Sequence, residues 1–487
     1  MHRVLEINEI LVLILQLIPH ESKHPTAAAV ASTCRAFYEP AYDALWEELP
    51  AMRPLFNLLP RDLLARAGFR HDVARELGAQ EWARFLNRCA RVKTLTLKER
   101  DGGDDLEDRI RTIVLMRRGS TGPILPKAHT LLVDGDFFAA GRGHVGHLPL
   151  FVGPEIREVR FTAGTSRQHR EIVEQLMLSC PRIQSIGLLE CRGKEARLLP
   201  SFAGLETVVC SGNVDLPILA RVRSLRHLSV PLASEPVGLT GTEDAASAIV
   251  RFPVLETLKL RGIRHSRHVI PLLESIHSPR LHKIHLETSN QRHPDAPRSC
   301  GAALTALASH FPRLRSLTLD GWWPLATFPH KAITELHHLE ELCLTSGKFT
   351  LADQCIVDLG GACPALRHLE VYSAQRQDER LSSWTLHALE LAVTHLPRLE
   401  HLATNFDTLH VDTLAAPRAT SRAPMTLAVT KSPLYAEHIR PAAAYISSVY
   451  PNARFGLPEN YVVKEGDEDH RRWGQVAQAV LLHKDVV

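Results

Sequence analysis

The sequence has no Asn-x-Ser/Thr acceptor and no Cys-x-x-Cys pair, and its nine cysteines are an odd, scattered set. A disulfide framework and a structural zinc site are therefore not expected, and the cysteine usage fits a reducing interior compartment, cytoplasmic or nuclear. Bulk charge is lacking as well. The 57 basic and 54 acidic residues leave +3, so no overall field marks the chain for nucleic acid or an anionic membrane. The one stretch resembling a targeting segment, residues 10–18, is too short to cross about 30 Å of hydrocarbon. Its flank carries Glu6 and Glu9 against a single Arg3, the opposite of a basic leader. Neither a membrane nor a nucleic acid is expected as a partner.

Catalytic signatures are missing too. The sequence contains no G-x-x-x-x-G-K-S/T, G-x-S-x-G or H-E-x-x-H, the patterns that place a phosphate cradle, an acyl nucleophile or a zinc pair. Gly141, Gly143 and Gly146 satisfy G-x-G-x-x-G, but Pro149 and Pro154 block the helix that would have to follow, so a surface loop is expected there. The 27 histidines include close pairs: His20 with His24, His144 with His147, His265 with His268, and His282 with His285. None of these has the further ligands that zinc requires, so no metal and no cofactor are expected. Arg109, Arg111, Arg117 and Arg118 lie beside Asp104, Asp105, Glu107 and Asp108 and read as a solvated mixed-charge face. No catalytic residue is expected, and the chain reads as a non-enzyme.

What is present is apolar pattern. With 45% hydrophobic content over 487 residues, the chain can bury a long continuous core. Near the N-terminus, Ile7, Ile10, Leu11, Ile14, Leu15, Leu17 and Ile18 follow helical spacing up to Pro19, and Asn8 can cap the start. An Ala-rich run over residues 27–31 follows, then Cys34, Phe37, Ala41, Leu45 and Trp46 at intervals of three to four. This predicts three short helices with more apolar surface than fifty residues can bury alone.

One phrase recurs from residue 89 to 404: a Pro or small residue, then aliphatics two, five and seven positions on. Clean copies are Phe252-Pro253-Val254-Leu255-Glu256-Thr257-Leu258-Lys259-Leu260, Phe311-Pro312-Arg313-Leu314-Arg315-Ser316-Leu317-Thr318-Leu319 and Cys363-Pro364-Ala365-Leu366-Arg367-His368-Leu369-Glu370-Val371. The first aliphatic stands at 92, 128, 156, 183, 205, 225, 255, 281, 314, 339, 366 and 399, an average spacing of about 28 residues, at the long end of leucine-rich repeats. L-x-x-L-x-L supplies a short strand with alternating faces, and return helices are expected at 170–178, 245–252, 302–311, 353–363 and 385–396. The fold class is therefore α/β: a three-helix module (1–49), a helical connector (50–91), a leucine-rich-repeat solenoid in the form of a horseshoe (92–415), and a C-terminal cap and tail (416–487).

The first fifty residues resemble the F-box family. Glu6-Ile7-Asn8-Glu9-Ile10-Leu11, then Cys34-Arg35-Ala36-Phe37, Ala41, Asp43 and Leu45-Trp46, are similar to L-P-x-E-I-L followed by V-C-R-x-W, A, D and L-W. Glu6, Ile7, Thr33 and Phe37 depart from that pattern. The resemblance implies a Skp-type adaptor bound through Ile7, Asn8, Ile10, Leu11, Ile14, Cys34, Phe37, Leu45 and Trp46, and through it a cullin scaffold. With repeats behind it, the chain would be the substrate-recognition subunit of an SCF-type ubiquitin ligase. The rival reading is a repeat scaffold whose helices only cap the array. A protein target is expected on the solvent side of the strands, at Lys259, Arg261, Lys283, His285, Thr318, Asp320, Glu341 and Glu370, a display running from basic to acidic.

Overall fold

The structure, a computed structural model, describes residues 8–60, 78–98, 113, 122–134, 148–161, 169–189, 196–212, 215–232, 250–263, 269–288, 296–321, 330–346, 351–373, 384–429, 432–456 and 468–484. The chain falls into two compact units, Met1–Leu225 and Arg226–Val487.

The first unit opens with three helices, α1 (Asn8–Leu17), α2 (His20–Thr33) and α3 (Arg35–Glu47). Leu11, Leu15, Ala27 and Ala41 form their core, with Ile18, Val30, Ala31, Phe37, Ala44 and Leu45 packed around it. Small side chains on α2 let the helices approach closely, and Pro19 and an extended Cys34 separate them. Six strands follow: β1 (Glu48–Leu49), β2 (Thr94–Lys98), β3 (Thr130–Asp134), β4 (Glu158–Phe161), β5 (Ser185–Leu188) and β6 (Thr207–Cys210). Each pairs in parallel with the next. β1 begins where α3 ends, so the three-helix module runs into the ladder without a linker. Within the connector, Arg53–Phe56 and Ala79–Cys89 are helical.

Ion pairs fix that junction. Lys23 meets Glu48 at 2.6 Å and Glu47 at 3.8 Å, and Lys93 meets Glu47 at 2.8 Å. Arg91 bridges Glu39 at 2.9 Å and Asp43, while its guanidinium lies 5.3 Å from the centre of the Tyr42 ring. Arg91 is thus held by charge and by a cation–π contact together.

In the second unit the ladder strands are β7 (His227–Pro231), β9 (Thr257–Ile263), β11 (Lys283–Thr288), β12 (Ser316–Asp320), β13 (Glu341–Ser346), β14 (His368–Ser373), β16 (His401–Thr404), β18 (Met425–Val429) and β19 (Ala453–Gly456). They are parallel in that order. Two short parallel pairs flank them, β8 (Val250–Arg251) with β10 (Ile276–His277) and β15 (Trp384–Thr385) with β17 (Phe406–Asp407). Helices Val269–Ser275, Ala296–His310, His330–Ile333, Gln354–Ala362, His387–His395 and Ile439–Val449 return the chain, each packed on the next. Parallel strands need such crossovers, and stacking them makes an α/β repeat solenoid in which each repeat supports its neighbours.

The repeat phrase maps onto the core position by position. Val92, Ala128, Ile156, Ile183, Leu205, Leu225, Leu255, Leu281, Leu314, Leu339, Leu366 and Leu399 are all buried, none more than 4% exposed. The next aliphatics form a continuous row of register partners, Leu258, Ile284, Leu317, Leu342, Leu369 and Leu402, all buried. Each buried leucine contributes about 1.5–3 kcal/mol relative to exposure.

The expected return helices at 170–178, 302–311, 353–363 and 385–396 correspond to His169–Ser179, Ala296–His310, Gln354–Ala362 and His387–His395. The one expected at 245–252 is corrected at its end: Val250 and Arg251 form β8, and 245–249 lie outside the described residues. Val250 is β-branched and pairs with Ile276, so neighbouring backbone overrides the helical spacing. The ladder also runs past residue 415 through β18 and β19, where prolines and a shortened phrase conceal two further strands.

Candidate functional site

Two surfaces carry functional character. On α1, seven of ten residues are apolar, too many for one buried stripe. The helix is consequently apolar on two faces. Leu11 and Leu15 point into the core of the module, whereas Leu13 (58% exposed), Ile14 (42%) and Leu17 (84%) face out beside the half-buried Ile10. Positions 10, 13, 14 and 17 follow the i, i+3, i+4, i+7 spacing by which one helix lies in a partner's groove. Tyr38 of α3 adds exposed aromatic surface and stacks on Tyr42 with centroids 5.2 Å apart.

This divides the residues expected at an adaptor interface. Asn8 and Ile14 are exposed; Ile10, Cys34, Phe37 and Leu45 are half-buried. Leu11 and Trp46 are buried at 4% and 8%, Leu11 in the module's core and Trp46 against the Tyr42 ring, so neither belongs to the exposed part of the face on which an adaptor is expected. Ile7 lies outside the described residues. Leu17 belongs to the apolar helical pattern read from the sequence but not to the expected adaptor residues; Leu13 and Tyr38 are not singled out there, although the near-continuous apolar run of α1 is the signal for Leu13.

The second surface is the non-core face of the ladder in the second unit. One row of register partners reads Thr257, Lys283, Ser316, Glu341, His368, His401, Thr426; the next reads Lys259, His285, Thr318, Cys343, Glu370, Ala403. Lys259, Arg261, Lys283, His285, Thr318, Asp320 and Glu341 are all half-buried or exposed on this face. The expected run from basic to acidic is broken by pairing. Lys259 lies 3.4 Å from Glu287, and Lys283 reaches across β12 to Glu341, also at 3.4 Å. Asp320 accepts a hydrogen bond from the Thr345 hydroxyl.

Glu370 is corrected more strongly. It is 8% exposed, because His368, His401 and Cys343 close over its carboxylate. His368 Nε2 lies 3.0 Å and His401 Nε2 3.3 Å from Oε1, and Cys343 Sγ donates to Oε2 at 3.4 Å. Burial pushes the carboxyl up, but the hydrogen bond with His368 and the close approach of His401 outweigh it and hold the group well below the usual carboxylate range. Burial and the Glu370 charge push the Cys343 thiol far up, and burial does the same to Tyr372. Glu341 is held low although burial opposes this, because Ser316 and Lys283 stabilise its charge. Burial beside Lys259 lowers His285, whose Nε2 is buried without a hydrogen-bond partner among the described residues.

His368 and His401 were not among the histidine pairs weighed from the sequence. They stand 33 residues apart, yet both occupy the same place in the repeat phrase, Arg367-His368-Leu369 and Glu400-His401-Leu402. Equal phrase position in consecutive repeats means adjacency in the ladder, and that was the available signal. The Gly141 loop, His144, His147, His265 and His268, and the arginines from 109 to 118 lie outside the described residues.

No helix among the described residues is long and apolar enough to cross a membrane. No protein-family model matches the chain, and no curated protein matches it. Among solved structures, a Listeria monocytogenes internalin is similar at 12% identity, covering 88% of this chain and 96% of its own, with a TM-score of 0.30. A Bacteroides fragilis protein is similar at 9% identity, covering 69% of this chain and 68% of its own, with a TM-score of 0.26. Both likenesses are too remote to bear on function.

Proposed function

We propose that the chain is the substrate-recognition subunit of an SCF-type ubiquitin ligase. The N-terminal module docks a Skp-type adaptor through Ile10, Leu13, Ile14 and Leu17, and the open face of the second unit's ladder holds a protein target. The observation that carries this reading is a module with its own closed core that still leaves a second apolar stripe on α1 exposed. Such a stripe is costly in water and is accounted for by a partner. Of the F-box-like residues, 8–11 lie in α1 and 34–46 run from the residue before α3 through most of that helix. On the ladder, Lys259, Arg261, Lys283, His285, Thr318, Asp320 and Glu341 supply a rim of mixed charge that would set register and association rate. Catalysis belongs to other subunits in this reading.

A second reading has its own support. The Lys23–Glu48 and Arg91–Glu39 pairs and the pairing of β1 with β2 tie the module to the first strands, as a terminal cap requires. In that case the chain is a repeat scaffold for protein binding without a ligase role. Co-expression with a Skp-type adaptor followed by size-exclusion chromatography separates the two. A stoichiometric complex supports the ligase reading; separate elution at micromolar concentration supports the cap.

A further inference from the structure

We propose that His368, Glu370 and His401 form a binding site for a divalent transition-metal ion of the zinc class. The three side chains come from two adjacent strands of the second unit, and His368 and His401 are direct register partners. Their ligand atoms all lie within 4.8 Å of one another. Around an ion with ligands at about 2.0–2.1 Å, neighbouring donor atoms sit about 3.3 Å apart. The two oxygen-to-nitrogen distances, 3.0 and 3.3 Å, already match this.

Charge points the same way. The Glu370 side chain is only 11% exposed, and among the described residues its ion partners are two imidazoles, with no lysine or arginine. A carboxylate so buried needs a compensating cation. That cation is either a proton on the imidazole pair or a metal. Glu341, the register partner of His368, adds a second negative charge, itself shared with Lys283.

A separate observation favours the metal. His401 Nε2 is buried 3.3 Å from Oε1 without a well-formed hydrogen bond to it, and so is available as a ligand atom. Two imidazoles and a carboxylate are the donors that suit zinc and its neighbours, whereas calcium and magnesium require oxygen sets. The rings now stack at 4.1 Å with planes 7° apart, so their lone pairs run parallel. Ion entry requires the rings to splay. The exposed side of His368, at 39%, leaves room for that movement and for a water ligand. Cys343 orients the carboxylate from behind, in the manner of residues that hold a metal ligand by its second atom.

The test uses the untagged full chain, stripped with chelator and dialysed. Cobalt(II) chloride is titrated and the visible spectrum recorded; zinc chloride is then added in competition, and affinity is read by calorimetry. One tight equivalent is expected, with cobalt bands displaced by zinc. His401→Ala and Glu370→Gln should each weaken binding at least 100-fold, and Cys343→Ser about 10- to 100-fold. Should His401→Ala fail to fold by circular dichroism, His368→Gln at the more exposed position decides the matter. Absence of cobalt bands, or unchanged affinity in a folded His368→Gln variant, overturns the site and leaves a carboxylate-bridged histidine stack.

Discussion

Gly360 lies so close to His395 that a Cβ at position 360 would stand 2.4 Å from the His395 carbonyl oxygen and 2.5 Å from its Cβ. The contact joins helix Gln354–Ala362 to helix His387–His395 and sets the spacing of two consecutive repeats. Both backbones must give way to admit a methyl group.

The neighbouring Gly361 supplies the control, since nothing lies within 4 Å of the Cβ it would carry. Gly361→Ala should be neutral or stabilising by up to about 1 kcal/mol through helix propensity. Gly360→Ala should cost about 1–3 kcal/mol by overpacking. Chemical denaturation of the two variants checks the order, and equal effects would mean the helices are not in contact.

Leu258, Leu317 and Leu369 occupy one buried row and are fully buried. Truncating any one to Ala should destabilise by about 2–5 kcal/mol, with hydrogen exchange rising first in the strands on either side. Exchange confined to the altered strand would contradict the repeat coupling.

The two kinds of charge on the ladder face should behave differently. Lys283→Ala removes an exposed pair and should change stability by about 0–1 kcal/mol, less at high salt. Glu370→Ala leaves buried donors without an acceptor and should cost about 1–3 kcal/mol at any ionic strength. Denaturation at low and high salt distinguishes them.

Burial pushes the Cys89 and Cys180 thiols up to about 12 from an ordinary value near 9.0. For an acid raised in this way, the thiolate forms more readily in the unfolded chain, so stability falls as pH rises from about 9 towards 12. The paired variant Cys89→Ala, Cys180→Ala should start less stable at pH 7 and lose less between pH 9 and 11. Site-resolved alkylation at pH 8 should label half-exposed Cys34 well before either buried thiol.

How much was legible follows from period and distance. The repeat phrase located the twelve buried first aliphatics from Val92 to Leu399 because L-x-x-L-x-L is short, local and copied many times. The two strands after residue 415 were hidden because prolines at 417, 424 and 433 break the phrase while backbone pairing persists. On α1 the spacing showed apolar surplus but not its direction, since a helix apolar on two faces has no single preferred side; packing against Ala27 and Ala41 decides it. The burial of Glu370 depends on His401, one repeat away, and a reading of alternation along a single strand does not see a neighbour's imidazole.

The exposed stripe on α1 bears most directly on whether the module is a docking element. Leu13 and Leu17 are far enough from the core that Leu13→Asp, Leu17→Asp should leave circular dichroism and melting temperature unchanged. A Skp-type adaptor is titrated calorimetrically into wild-type and variant full chains. The account predicts a one-to-one complex with the wild type and at least a 100-fold loss, about 2.8 kcal/mol, in the variant. No binding by the wild type, or equal binding by a folded variant, would contradict it.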